Sequence, residues 1–227
     1  MQYSERRLRY GALRIDMLKF FFSAPAVHTL YSRDTLSPAK AVARAIQAVY
    51  AIPLPPLAPD VGDVRLPVIN VGMLGGGTVS NAIPSETWFT VDLRSLDTAT
   101  QDRLRAAITD AARHAAGDEH VHFRVENTVL TEDYSKSLPK EQRLSHPLVK
   151  TAVDAANYFR KPVSAAVVPA DLGSTDANIA VSLGIPAIAT GALISTKQHQ
   201  LEENAEAASI VPGIKQTIAL AVALTTH

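Results

Sequence analysis

Chemistry in this chain of 227 residues must come from histidine, carboxylate, amide, hydroxyl, amine and guanidinium groups, because it contains no cysteine. Disulfides and thiolate metal sites are thereby excluded. His199 opens the stretch His-Gln-Leu-Glu-Glu203, a histidine with a carboxylate four residues on. Imidazole suits zinc, and a nearby carboxylate can orient the ring; the same pair also reads as a solvated loop histidine beside a surface acid. There is no H-E-x-x-H. His28, in Pro25-Ala-Val-His-Thr29, is a second lone loop histidine. His120 and His122 alternate onto an outer face and read as solvated. Ser174-Thr175-Asp176, at a helix start, is either an N-cap with an acid opposing the helix dipole or a contact for an anionic group at exposed N–H groups.

The longest polar constellation runs from Gly75 to Arg94: Gly-Gly-Gly-Thr-Val-Ser-Asn81-Ala-Ile-Pro84, then a strand ending Val-Asp92-Leu-Arg94. The three glycines lead into a strand and carry neither a G-x-G-x-x-G helix start nor a Gly-Lys-Ser/Thr ending, so nucleotide binding is disfavoured. Along 87–94, Thr87, Phe89, Val91 and Leu93 point one way and Trp88, Thr90, Asp92 and Arg94 the other, as in a half-buried antiparallel strand. Asn81, Asp92 and Arg94 are thus polar groups that a rigid scaffold could aim.

The elements that must hold them follow from periodicity. Leu8–Phe22 reads as a long strand or bent strand pair with Gly11 as a bulge. Ser37-Pro38 opens a helix whose apolar face is Val42, Ala45, Ile46, Val49 and Tyr50. Pro67–Leu74 and Glu86–Arg94 are strands. Thr98-Ala-Thr-Gln101 reads as a capping box opening a helix that Gly117 stops, and His120–Glu126 is a fourth strand. The order strand–helix–strand–strand–helix–strand is ferredoxin-like, with both helices on one face of the sheet and the other face open. Such a half-covered sheet suits self-association.

Residues 131–145 read as a polar linker. A helix follows to Phe159, then a buried strand at Val163–Val168, a helix ending at Gly184, a buried strand at Ile185–Thr190, and a last helix from Ile210 to Leu224. Strand–helix–strand implies a parallel crossover. The chain is therefore α/β with an α+β first domain.

Lysine and arginine equal aspartate and glutamate at 22 each, and without a basic excess a nucleic-acid or membrane-surface partner is disfavoured. An apolar share of 47% can fill a sizeable core. Lys19 breaks the apolar run Met17–Phe22, so no signal peptide is evident. Ile214–Leu224 is too short to span a bilayer, and a cytoplasmic location is expected.

Taken together, the Asn81–Pro84 and Asp92–Arg94 motifs, Gly173-Ser-Thr-Asp176-Ala-Asn178, Gly184-Ile-Pro186 and His199-x-x-x-Glu203 resemble the dizinc aminoacylase, glutamate carboxypeptidase and succinyl-diaminopimelate desuccinylase family of metallohydrolases. Pro25-Ala-Val-His28-Thr29 looks like a variant of that family's Pro-Gly-Gly-His-Ser loop with both glycines replaced. The resemblance implies a lid and dimerisation domain at 6–130 and the C-terminal part of a catalytic α/β domain at 131–227. It implies His199 as a ligand to zinc, with manganese or cobalt as alternatives. It implies His28 as oxyanion stabiliser in the partner subunit's site, and Asn81 and Arg94 as positioners of the substrate and its carboxylate. Ser174, Thr175 and Asp176 would line the site. The expected substrate is a small peptide or an N-acyl or N-carbamoyl amino acid, and the expected assembly a homodimer. No His-x-Asp occurs in these residues, and their Glu-Glu, at 202–203, belongs to the terminal His motif, so the family's ligand pair, bridging Asp and base are unmatched. The expectation is a truncated chain, inactive alone; the alternative is a non-catalytic ferredoxin-like dimerisation or binding module.

Overall fold

The computed structural model describes residues 7–11, 13–57, 65–127, 136–160, 168–170, 175–197 and 200–225. In chain order these form β1 (Arg7–Arg9), β2 (Arg14–Ser23), β3 (Val27–His28), α1 (Pro38–Tyr50), β4 (Val68–Gly76), β5 (Ala82–Ile83), β6 (Glu86–Ser95), α2 (Thr98–Asp118) and β7 (His122–Asn127). Then come α3 (Lys140–Ser145), α4 (Pro147–Arg160), β8 (Val168–Ala170), α5 (Ala177–Ser182), β9 (Ala189–Thr190), β10 (Ser195–Thr196), β11 (Asn204–Ala205) and α6 (Ile210–Thr225). Two compact units result: Arg14–Glu132, and Met1–Leu13 with Asp133–His227.

The Arg14–Glu132 unit is the ferredoxin-like lid. Its four strands lie in the order β4-β6-β2-β7, all antiparallel. Period-2 alternation places Leu18, Phe20 and Phe22 of β2 and Phe89, Val91 and Leu93 of β6 on one face. There they bury against Ala41, Ala45 and Val49 of α1 and Leu104, Ile108 and Ala112 of α2. Phe20 lies 5.1 Å from Phe89 and 6.1 Å from Phe123, ring centre to ring centre. Ser37 caps α1, its hydroxyl accepting from the Lys40 N–H at 3.4 Å, with Pro38 in the first turn as expected.

The capping box at Thr98 is not formed. Asp97 caps α2, accepting from the Thr100 N–H at 2.7 Å. Gln101 turns inward instead, its Nε2 donating to Asp16 Oδ2 at 3.1 Å and to the Leu93 carbonyl at 3.0 Å. Two buried partners outcompete one cap. Gly117 lies inside α2, which ends at Asp118 before the left-handed His120.

Leu8–Phe22 is not one strand: residues up to Leu13 belong to the other unit. β1 lies between β8, to which it is parallel, and β9, to which it is antiparallel. Leu8 and Tyr10 bury among Val149, Ala152 and Ala156 of α4 and Leu220 of α6, so burial assigns this stretch to the other unit. The same insertion removes the expected parallel crossover: β8 and β9 flank β1 and run in opposite directions. Ile185, expected in a buried strand, is exposed, and only Ala189–Thr190 pairs. The polar stretch before Pro147 includes α3. Of the strand expected at Val163–Val168, residues 163–167 lie outside the described residues.

One helical run, Ala207–Thr225, is long and apolar enough to cross a membrane by length and composition alone, where the sequence reading took Ile214–Leu224 as too short. In this fold its buried residues are Ser209, Gly213, Gln216 and Leu220, and Leu220 joins the α4 core.

Candidate functional site

Past the last rung of the β2–β6 ladder, Ser23 opposite Glu86, the two chains stay together. The Ala24 N–H donates to the Ser85 carbonyl at 3.0 Å, Val27 and His28 of β3 face Ile83 and Ala82 of β5, and the Thr29 N–H donates to the Asn81 carbonyl at 2.9 Å. This two-stranded finger sets His28 and Asn81 side by side. His28 Nδ1 accepts from the Leu30 N–H at 3.2 Å, so the neutral ring carries its proton on Nε2. That nitrogen lies 3.5 Å from the Asn81 amide nitrogen. Two donors cannot bond, so the hydrogen-bonding orientation of Asn81 is the flipped one, with Oδ1 toward the ring. Both side chains are exposed, and so are Leu30 at 81% and Tyr31 at 75%.

Glycine makes the finger possible. Gly76 has φ +132°, and a Cβ there would stand 2.4 Å from the Glu86 carbonyl oxygen. β4 leaves the sheet at this point toward Asn81.

Arg94 sits at the far end of the same strand. Its Nε and Nη2 donate to both oxygens of Asp92 at 2.8–3.2 Å, a bidentate pair on the open face of the sheet. This bond, ahead of the opposing effect of burial, raises the guanidinium pKa above its already high ordinary value. Arg94 is eight residues beyond Glu86, about 26 Å at roughly 3.3 Å per residue. The sequence reading grouped Asn81 and Arg94 around one substrate; the structure puts them at opposite ends of β6. An amino acid or dipeptide cannot touch both within one subunit.

Thr175 and Asp176 precede α5. The Thr175 N–H faces Asn178 Oδ1 at 3.5 Å; among the described residues its buried hydroxyl has no hydrogen-bond partner, and Asp176 occupies the N-cap position without a side-chain capping bond. Ser174 and His199 lie outside the described residues. Among the described residues no three histidine, aspartate or glutamate side chains converge to hold a metal ion, so they do not make up a zinc site.

One stack was missed. On the open face Lys19 Nζ lies 4.0 Å from the centre of the Trp88 ring and 4.9 Å from that of Phe21, while the Arg124 guanidinium lies 3.8 Å over Phe21. In the sequence Lys19 is only the charge interrupting an apolar run. Its alternation with Met17 and Phe21 was the available signal, obscured by the run Phe20-Phe21-Phe22.

A four-stranded antiparallel sheet with two helices on one face and a finger carrying an imidazole and an amide defines a ferredoxin-like lid. A sequence profile for the M20 peptidase dimerisation domain matches residues 17–120. No curated protein sequence matches the chain. Among solved structures, aminopeptidase PepT from Bacillus cereus ATCC 10987 is 17% identical with a TM-score of 0.64, covering 97% of this chain and 54% of its own. An amidase of the hydantoinase/carbamoylase family from Burkholderia vietnamiensis is 17% identical (TM-score 0.66, 95% and 49%). The di-peptidase Dug1p from Saccharomyces cerevisiae is 11% identical (TM-score 0.70, 97% and 56%). These likenesses establish the fold. The chain spans about half the length of each.

Proposed function

We propose that the protein serves a metal-dependent hydrolase of amide or peptide bonds, with 14–132 as the lid through which two copies pair. The observation that carries this reading is the finger: an exposed imidazole whose Nδ1 is held by the Leu30 N–H and whose Nε2 faces Asn81, on a stretch matched by a peptidase dimerisation profile. The Nε2–H can exchange Asn81 Oδ1 for the oxyanion of a tetrahedral intermediate, a contribution of about 3 kcal/mol where such donors have been removed. The span of β6 then requires a division of labour. His28 and Asn81 serve one site of the dimer and Arg94 the other.

Pairing suits the outer edge of β4, where Met73 is 60% and Leu74 68% exposed. The metal, zinc by resemblance, needs ligands beyond the described residues; His199 is the candidate this chain offers. The substrate class is a small peptide or N-acyl or N-carbamoyl amino acid, and chain 1–227 alone is expected not to turn it over.

The test begins with any coding sequence continuing in frame ahead of Met1, where this reading requires His-x-Asp followed by Glu-Glu. Expressed with that segment and zinc, the protein should sediment as a dimer and hydrolyse N-acyl amino acids or dipeptides, and His28→Ala should lower kcat about 100-fold. Robust turnover by 1–227 alone, abolished by His199→Ala, would refute the inactivity. A dimer that neither binds zinc nor hydrolyses these substrates would refute the hydrolase reading in favour of a non-catalytic dimerisation module.

A further inference from the structure

The open face of the lid sheet carries three cations, and two are already engaged. Arg94 is held bidentately by Asp92, and Arg124 pairs with Glu126, with Glu86 4.0 Å away. Lys19 is different. Its ammonium has three N–H donors, yet among the described residues none reaches a protein acceptor and no carboxylate lies within 4.0 Å; its contacts are the faces of Trp88 and Phe21.

The setting fixes the ammonium in place. Register puts Lys19 opposite Thr90 on β6 and Glu126 on β7, and Phe21 opposite Trp88 and Arg124. Trp88 in turn lies against Gly75, where a Cβ would stand 2.8 Å from its Cζ2. An ammonium resting on two rings has lost part of its water shell and part of its side-chain freedom before any ligand arrives. Such a group lacks only an anion on its open side. Lys19 is also four strand positions nearer than Arg94 to the end that carries His28 and Asn81.

We propose that Lys19 and Trp88 form a carboxylate subsite. Lys19 Nζ donates to the carboxylate of an N-acyl amino acid or dipeptide, and the indole flanks the apolar group beside it. The ligand's identity as a substrate rests on the hydrolase reading; its binding does not.

Trp88 is the chain's single tryptophan, so its emission reports the subsite directly. The chain is titrated with N-acetyl-L-leucine and, separately, with the methyl ester of that compound. The carboxylate should shift Trp88 emission saturably, and the ester should bind at least tenfold more weakly. Lys19→Met should lose at least tenfold in affinity, Lys19→Arg should retain most of it, and Lys40→Met, on α1, should leave it within twofold. An ester that binds as well as the acid, or a Lys19→Met protein that titrates like the parent, would overturn the proposal. So would a response lost in Arg94→Met but kept in Lys19→Met, which would assign the carboxylate to Arg94. A protein that passes these tests and never hydrolyses an amide refutes the function and leaves the subsite standing.

Discussion

Phe20→Ala offers the sharpest test of how the lid is held together. Phe20 is fully buried at the middle of β2, packed between Phe89 and Phe123, with α1 and α2 closing over it. Truncation removes the ring's transfer free energy and leaves a cavity that the sheet cannot close, because neighbouring strands keep their spacing through the ladder. Phe→Ala at such sites costs about 3–5 kcal/mol. A domain of this size has about 5–15 kcal/mol to lose. With a urea dependence near 2 kcal/mol per molar, the midpoint should fall by about 2 M. Because Trp88 lies in the lid, its fluorescence follows this unit, and the other unit does not contribute to the signal. Phe20→Leu, which keeps most of the volume, should cost less than half as much. A midpoint shift under about 0.5 M for the alanine variant, or equal shifts for both variants, would refute the packing argument.

Two further outcomes follow from neighbouring features. Burial, opposed by the Gln101 hydrogen bond and by Arg105 and Arg14, raises the Asp16 carboxyl above its ordinary value of 3.8. The folded state therefore favours the neutral acid; the stability this group contributes is intact below 3.8 and is lost as pH climbs through the raised value. Asp16→Asn should thus raise the lid's urea midpoint at pH 7 relative to the parent and leave it unchanged near pH 3.5; a gain of the same size at both pH values would contradict the assignment. Gly76→Ala should destabilise the lid by about 1–3 kcal/mol, since its backbone conformation is rarely open to other residues and its Cβ would meet the Glu86 carbonyl; urea unfolding indistinguishable from the parent would contradict this.

The lid was largely legible because its signals are local. Alternation in 87–94 and the Ser37-Pro38 helix start each express one periodicity or one cap, and tertiary contacts reinforce them. The failures occur where a distant group competes. Gln101 deserts a cap because Asp16 and Leu93 offer it buried partners, and Leu8 and Tyr10 leave the lid because α4 and α6 bury them. No short window of sequence joins Gln101 to Asp16, or Leu8 and Tyr10 to α4 and α6. For the site, the pairing of His28 with Asn81 follows from the β3–β5 register, which a motif does not encode. The separation of Asn81 from Arg94 could have been counted from strand length. Lys19 could not be chosen among several cations without knowing which already had carboxylate partners.

The length of β6 has a consequence for how this sequence can change. Residues between Trp88 and Arg94 can be exchanged one for one as long as the alternation survives. Inserting or deleting a single residue there is another matter, because every later side chain then swaps faces. Leu93 would turn to the open side and the guanidinium of Arg94 into the layer beneath α1 and α2. A two-residue insertion would keep the facing and lengthen the span by about 7 Å. The strand is therefore a ruler, tolerant of substitution and intolerant of insertion, and its descendants should vary in letters far more readily than in length.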